Sequence, residues 1–162
     1  MGSLPEETPE VIAERTSHVQ ALMDRLRASN GIYGLVLPTM TLTSVTRGTV
    51  LARLVLEPIH LNSKGGLHGA VSATIIDFTT GLAICSWDLR PVTGASVDMN
   101  ITYLSTAGEG DMIEVEAKAE RVGGSLSFVG IRIVKVGENG EKTVVTLGQH
   151  TKYLRPKPKT EA

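Results

Sequence analysis

The sequence predicts an α+β fold: one antiparallel sheet of about six strands curled around a single long apolar helix, with an extra helix at the N-terminus. Three observations predict it. Residues 67–87 are largely apolar and span about 31 Å if helical throughout. Segments on both sides of this stretch alternate apolar and polar residues at period two, joined by short turns, which favours antiparallel pairing. Residues 9–30 repeat apolar side chains at helical spacing. An apolar helix and a sheet with one apolar face bury both surfaces by packing on each other.

In chain order, residues 1–8 are polar and are expected to be a disordered N-terminus. Thr8 suits an N-cap with Pro9 in the first helical position, and Val11, Ile12, Arg15, Val19, Leu22, Met23 and Leu26 then mark an amphipathic helix over 9–30, stopped at Asn30-Gly31. Residues 31–154 form the main domain. Met40, Leu42 and Ser44 lead to a turn at Arg47-Gly48 and a second strand through Val50, Ala52, Leu54 and Leu56. After the apolar helix, Ala95 to Tyr103 alternates, as does Ile113 to Glu120. Leu126 to Val136 is the next strand, with an irregular phase that suggests a bulge near Gly130. Glu138-Asn139-Gly140 turns into a last strand, Thr143 to Tyr153. These last four strands are expected to pair in hairpin succession. Residues 155–162 read as a polar C-terminal tail.

Composition narrows the function. A net charge of −1 gives no bias toward nucleic acid. The single cysteine, Cys85, excludes an intrachain disulfide and reads as a small buried hydrophobe. No His/Cys cluster suggests zinc, so no metal site is expected. The apolar stretch is long enough to cross a membrane. It also carries His68, Ser72, Thr74, Asp77, Thr79, Thr80 and Ser86, which are costly in hydrocarbon, so no transmembrane segment is expected. The acidic start MGSLPEETPE resembles neither a secretory signal nor an Arg-rich transit peptide. The expectation is a cytoplasmic protein, with mitochondrial import by an internal signal left open.

Asp77 is the chemical anomaly. It sits among Ile75, Ile76 and Phe78, where an ionised carboxylate is costly unless something pairs with it or uses it. The helical face around it (Ala70, Ala73, Thr74, Thr80, Gly81) is made of small residues, so another backbone or a ligand can approach. At the start of the helix, unpaired backbone N–H groups and the helix dipole favour negative charge. Gly69 lies there, without a side chain to block a carbonyl oxygen. His68 is either a further donor or a structural hydrogen bond at the helix start. No GxSxG occurs, and no Ser-His-Asp arrangement is evident.

Asn62, Gly65-Gly66-Leu67-His68-Gly69-Ala70, Asp77 and then Ser96-Val97-Asp98-Met99-Asn100-Ile101-Thr102-Tyr103, with Gly148-Gln149-His150-Thr151-Lys152 behind them, resemble the hotdog-fold acyl-CoA thioesterases of the 4-hydroxybenzoyl-CoA and PaaI-like superfamily. The branch most resembled is that of acyl-coenzyme A thioesterase 13. HGA alone is a weak signal; HGA followed eight residues later by Asp and then by SVDMNITY is specific. The resemblance implies hydrolysis of medium- or long-chain fatty acyl-CoA by a homodimer or dimer of dimers, without cofactor, CoA being part of the substrate. It implies that Asp77 activates water or attacks directly, and that the Gly69 amide and Asn62 polarise the thioester carbonyl. It implies that Ser96 positions Asp77 or the water. The CoA end is implied along Tyr103, Leu104 and Ser105, along Arg121, Val122 and Gly123, and at Tyr153. Gly108 and Gly124 are uncharged where relatives often carry Lys, leaving Arg121 and Lys64 as the nearby cations.

Two geometric expectations follow from the residues. Gly69 and Asp77 lie about 12 Å apart along one helix axis, too far to share one carbonyl, so the site should form across a two-fold interface. Strict alternation puts Ser96 on the face opposite Ala95 and Val97, away from its own Asp77, unless a partner chain or a twist at the strand end repairs this. The alternatives are a non-catalytic acyl-CoA-binding hotdog protein and a hotdog dehydratase, which would draw on His60 or His68.

Overall fold

The computed structural model describes residues 7–154, so the expectations for residues 1–6 and for the tail at 155–162 lie outside the described residues. Helix α1 (Pro9–Ser29) begins as its sequence dictates. The Thr8 side chain accepts from the Val11 N–H at 3.5 Å, and Pro9 fills the first helical position. It leads through Asn30 into a short helix α2 (Gly31–Val36) that the periodicity did not suggest. Then come β1 (Thr41–Thr46), β2 (Thr49–Val55), a 3-10 turn (Pro58–His60), the long helix α3 (Gly69–Asp88), β3 (Ala95–Tyr103), β4 (Met112–Val122), β5 (Leu126–Val136) and β6 (Lys142–Tyr153).

The strands form one antiparallel sheet in the order β1-β2-β4-β5-β6-β3. The expected hairpin succession fails at one step. β3 does not pair with β4; it crosses to the far edge and pairs with β6, while β2 takes β4. Pairing across so long a stretch of chain leaves no mark on local alternation. The bulge expected at Gly130 is also displaced. Gly130 stays in register with Lys118 and Gln149, and the irregularity on β4 falls between Ala119 and Arg121.

α3 lies against the inner face of the sheet. Val71, Ile75, Ile76, Phe78, Leu82 and Ile84 share one core with inner residues of β2, β4 and β5, and most of them are fully excluded from solvent. Burying such side chains contributes roughly 1.5–3 kcal/mol each before entropy is charged. Among the described residues, α3 is the one helix long and apolar enough to cross a membrane, but 72% of its apolar window is buried inside the domain. β6 differs from its neighbours. Its inward residues Thr146, His150 and Lys152 are polar and buried. Asp77 meets this strand.

Candidate active site

Asp77 projects from the middle of α3, and its side chain keeps 33% of its exposure. Three elements reach it. The Lys152 ammonium, from β6, donates to Oδ1 at 2.8 Å, and the lysine side chain is only 4% exposed. The Tyr33 hydroxyl, from α2, donates to Oδ2 at 2.5 Å. Ser96 Oγ, from β3, lies 3.3 Å from Oδ1. Burial pushes the Asp77 pKa up; the hydrogen bonds from Lys152 and Tyr33 and the lysine charge outweigh that and hold the carboxyl below its ordinary value. Tyr33 moves the other way: burial and the carboxylate raise its pKa, so it remains a donor.

Ser96 therefore reaches its own Asp77, against the expectation from strict alternation. The cause is a bulge: the register between β3 and β6 slips between Ser96 and Asp98, leaving Val97 as the extra residue. Ser96 and Met99, three apart, then lie opposite Lys152 and His150, which face inward. Val97 turns out to solvent, 57% exposed.

His150 completes the cluster. Its Nε2 lies 3.0 Å from Ser96 Oγ and its Nδ1 2.8 Å from Thr80 Oγ1. Burial, reinforced by the Lys152 charge, lowers its pKa to about 4, so the ring is neutral at pH 7. Ser96 has one proton. It either donates to Asp77 and accepts from Nε2–H, or donates to Nε2 while the ring proton faces Thr80. Both tautomers pin the hydroxyl beside Oδ1. The sequence showed no Ser-His-Asp arrangement; the structure brings these three residues together, but with Ser96 in the middle. The imidazole does not bridge serine and carboxylate as it does in a hydrolase triad.

The donor side is built at the other end of α3. His68 is the N-cap, and its Nδ1 accepts from the Ala70 N–H at 3.0 Å, which leaves Nε2 to carry the ring proton. Gly69 occupies the first helical position, where the N–H has no intrahelical partner. Tyr103 covers this turn, its hydroxyl donating to the Gly69 carbonyl at 3.2 Å. Asn62 Oδ1 accepts from the Lys64 and Gly66 N–H groups at 2.9 and 3.3 Å, which leaves its amide NH₂ as the donor. The loop needs glycine twice. Gly65 has φ +77°, and a Cβ on Gly66 would collide with the Thr106 hydroxyl. His60 plays no part in this site. Its Nδ1 accepts from the Glu57 N–H, and its Nε2 bonds the Val36 carbonyl at 2.7 Å. Of the two imidazoles the dehydratase alternative named, His60 is thus held through both nitrogens, while His68 caps the helix through Nδ1 alone.

One chain does not bring these groups together. Gly69, His68, Asn62, Tyr103, Leu104 and Ser105 cluster where β3 ends. Asp77, Ser96, Lys152 and Tyr153 cluster where it begins, beside Arg121, Val122 and Gly123 at the end of β4. Ser96 and Tyr103 are about 23 Å apart along the strand. The two cations follow the same division, Lys64 in the first cluster and Arg121 in the second. Among the described residues, no group of three or more His, Cys, Asp or Glu side chains is placed to hold a metal ion. Cys85 is fully buried, and burial pushes its thiol up to about 12. Sequence reasoning missed Tyr33, Lys152 and the role of His150. The latter two carry a faint signal, polar residues at period-two spacing in a strand that covers a core. Tyr33 carries none.

The thioesterase superfamily model matches residues 64–140. Human acyl-coenzyme A thioesterase 13 is 33% identical over 141 residues, covering 86% of this chain and 98% of that one. The crystal structure of zebrafish thioesterase superfamily member 2 superimposes with a TM-score of 0.74 at 32% identity, over 84% of this chain and 95% of that one. A hypothetical thioesterase from Streptococcus pneumoniae with coenzyme A shares the fold, with a TM-score of 0.66 at 19% identity over 75% of this chain and 90% of that one.

Proposed function

The chain belongs to the thioesterase superfamily and is a thioester hydrolase, and we propose that it cleaves acyl-CoA thioesters of medium- and long-chain fatty acids to the free acid and CoA. The similarity to a named acyl-CoA thioesterase over nearly its whole length supports an acyl-CoA substrate. The observation that carries the chemistry is Asp77, a partly exposed carboxylate held in its ionised form on both oxygens by Lys152 and Tyr33. Oδ2 keeps a second lone pair for water or substrate.

In the proposed reaction the thioester carbonyl lies against the Gly69 N–H and the Asn62 amide, with the helix dipole behind them. Asp77 takes a proton from a water that adds to the carbonyl carbon, or adds to it directly to form a mixed anhydride that a water then hydrolyses, the same water supplying the proton that the thiolate takes up. Ser96 holds the water or the carboxylate. The C–S bond breaks, the electron pair leaves on sulfur, and the proton follows to give the CoA thiol. No metal or cofactor takes part. His68 offers Nε2–H as a further donor.

Because donors and carboxylate sit at opposite ends of β3, the working unit is a homodimer in which two β3 edges run antiparallel; two such dimers pair in the tetramer we propose. β3 is an edge strand with one neighbour, and its free edge is available for pairing. The antiparallel arrangement sets the Gly69 end of one protomer against the Asp77 end of the other. Tyr103, Leu104 and Ser105 then join Arg121, Val122, Gly123 and Tyr153 around the CoA moiety. The test is thiol release from an acyl-CoA chain-length panel by wild type and by Asp77→Asn. Asp77→Asn should fold and lose at least about 100-fold in turnover. Near-wild-type release by the purified variant would show that Asp77 is structural.

A further inference from the structure

α2 is the element that the sequence did not announce and that the family match, residues 64–140, does not include. Its geometry is specific. Asn30 Oδ1 caps it by accepting from the Ile32 N–H at 3.1 Å. Gly34 lies so close to the last turns of α1 that a Cβ there would sit 2.7 Å from the Arg27 carbonyl oxygen. This tight packing holds Tyr33 over the middle of α3. The Tyr33 ring rests on Phe78, with centroids 4.8 Å apart and planes tilted by 51°, and its hydroxyl donates to Asp77 Oδ2 at 2.5 Å. Consecutive residues of α3 therefore divide the tyrosine: Phe78 anchors the ring and Asp77 takes the proton donor.

A carboxylate held at one oxygen can still turn about its Cβ–Cγ bond. Lys152 holds Oδ1 from the sheet side with Ser96 Oγ beside it, and Tyr33 alone among the described contacts holds Oδ2. We propose that Tyr33 is a positioning residue of the hydrolase, fixing the plane of the Asp77 carboxylate so that its open lone pair on Oδ2 faces the reacting carbonyl. The proposal rests on the reading of Asp77 given above. It makes the α1–α2 segment part of the active site, with Gly34 setting the reach.

The test is Tyr33→Phe, which keeps the ring on Phe78 and removes only the hydroxyl. kcat should fall about tenfold, the scale of one hydrogen bond to a charged group, with KM for acyl-CoA within about twofold. The acid limb of the kcat/KM profile should move to higher pH, because the carboxylate loses a donor while Lys152, His150 and Asp98 around the cluster are unchanged. Gly34→Ala, which alters reach but no chemical group, should change both readouts in the same direction. Unfolding midpoints accompany each variant. A Tyr33→Phe enzyme with unchanged kcat and unchanged acid limb overturns the proposal, and so does a kcat loss that tracks lost stability with no shift of the limb. Asp77→Asn measured in parallel separates the failures: if it is inactive while Tyr33→Phe is normal, this inference alone falls; if it is active, the reading of the site falls with it.

Discussion

The division of the site between the two ends of β3 gives a quantitative prediction. Two parents are made, each damaged in one cluster. Asp77→Asn removes the carboxylate charge. Asn62→Asp keeps the oxygen that accepts from the Lys64 and Gly66 N–H groups, so the loop is retained, but loses the amide donors. Each parent alone should be nearly inactive, because every site then carries one lesion. In the proposed antiparallel dimer a mixed pair concentrates both lesions in one site and leaves the other intact. Random exchange of equal amounts makes about half of the dimers mixed, so activity per total chain should recover to about a quarter of wild type. The geometry behind this is the roughly 12 Å between Gly69 and Asp77 on α3 and the roughly 23 Å between Ser96 and Tyr103 on β3. The assay is thiol release after subunit exchange, with mixed dimers demonstrated by native mass spectrometry. No recovery in a sample shown to contain them would refute the shared site, since lesions confined to one protomer's own site cannot complement.

Two further predictions follow from the same cluster. Burial lowers the His150 pKa to about 4 from an ordinary 6.5, so between those values the unfolded chain binds the proton first, and stability present above pH 6.5 is lost as pH falls toward 4. In urea unfolding, wild type should lose more stability than His150→Gln between pH 6.5 and 4, and equal losses would contradict a buried neutral ring. Hydrolysis should be unaffected by EDTA, and activity lost to the chelator and restored by a divalent ion would overturn the metal-free mechanism.

The fold was readable where local pattern and tertiary role agree. The apolar run became α3, Thr8-Pro9 began α1, and the alternating segments became strands. It was unreadable where the deciding contact is remote. β3 could not announce that it skips β4 for β6. The bulge at Val97 hid in a regular alternation, because an extra residue changes facing without changing composition. In the site, Asp77 and Gly69 stood out by chemistry, a charge in an apolar run and a glycine at a helix start, whereas Asn62 came only with the family resemblance. Lys152 is 75 positions from Asp77 and Tyr33 is 44 away, so neither contact is implied by local spacing.

The inner face of β6 separates what the fold requires from what the site requires. β4 and β5 meet α3 with Ile113, Val115, Ala117, Val129, Ile131 and Ile133, so this helix can be covered by apolar side chains alone. β6 instead presents Thr146, His150 and Lys152. A buried ion pair seldom adds stability over apolar side chains of similar volume, since desolvation offsets the attraction. Folding therefore gives no reason to keep Lys152 opposite Asp77. The proposed mechanism gives one: desolvation alone would favour the protonated carboxyl, and a protonated Asp77 could neither accept a proton from water nor add to a carbonyl. Lys152 keeps the charge in place, while His150, neutral because of burial and that same lysine, holds Ser96 without adding a second positive charge to the cluster. His150 and Lys152 on β6 thus follow from the requirements of the proposed site rather than those of the core.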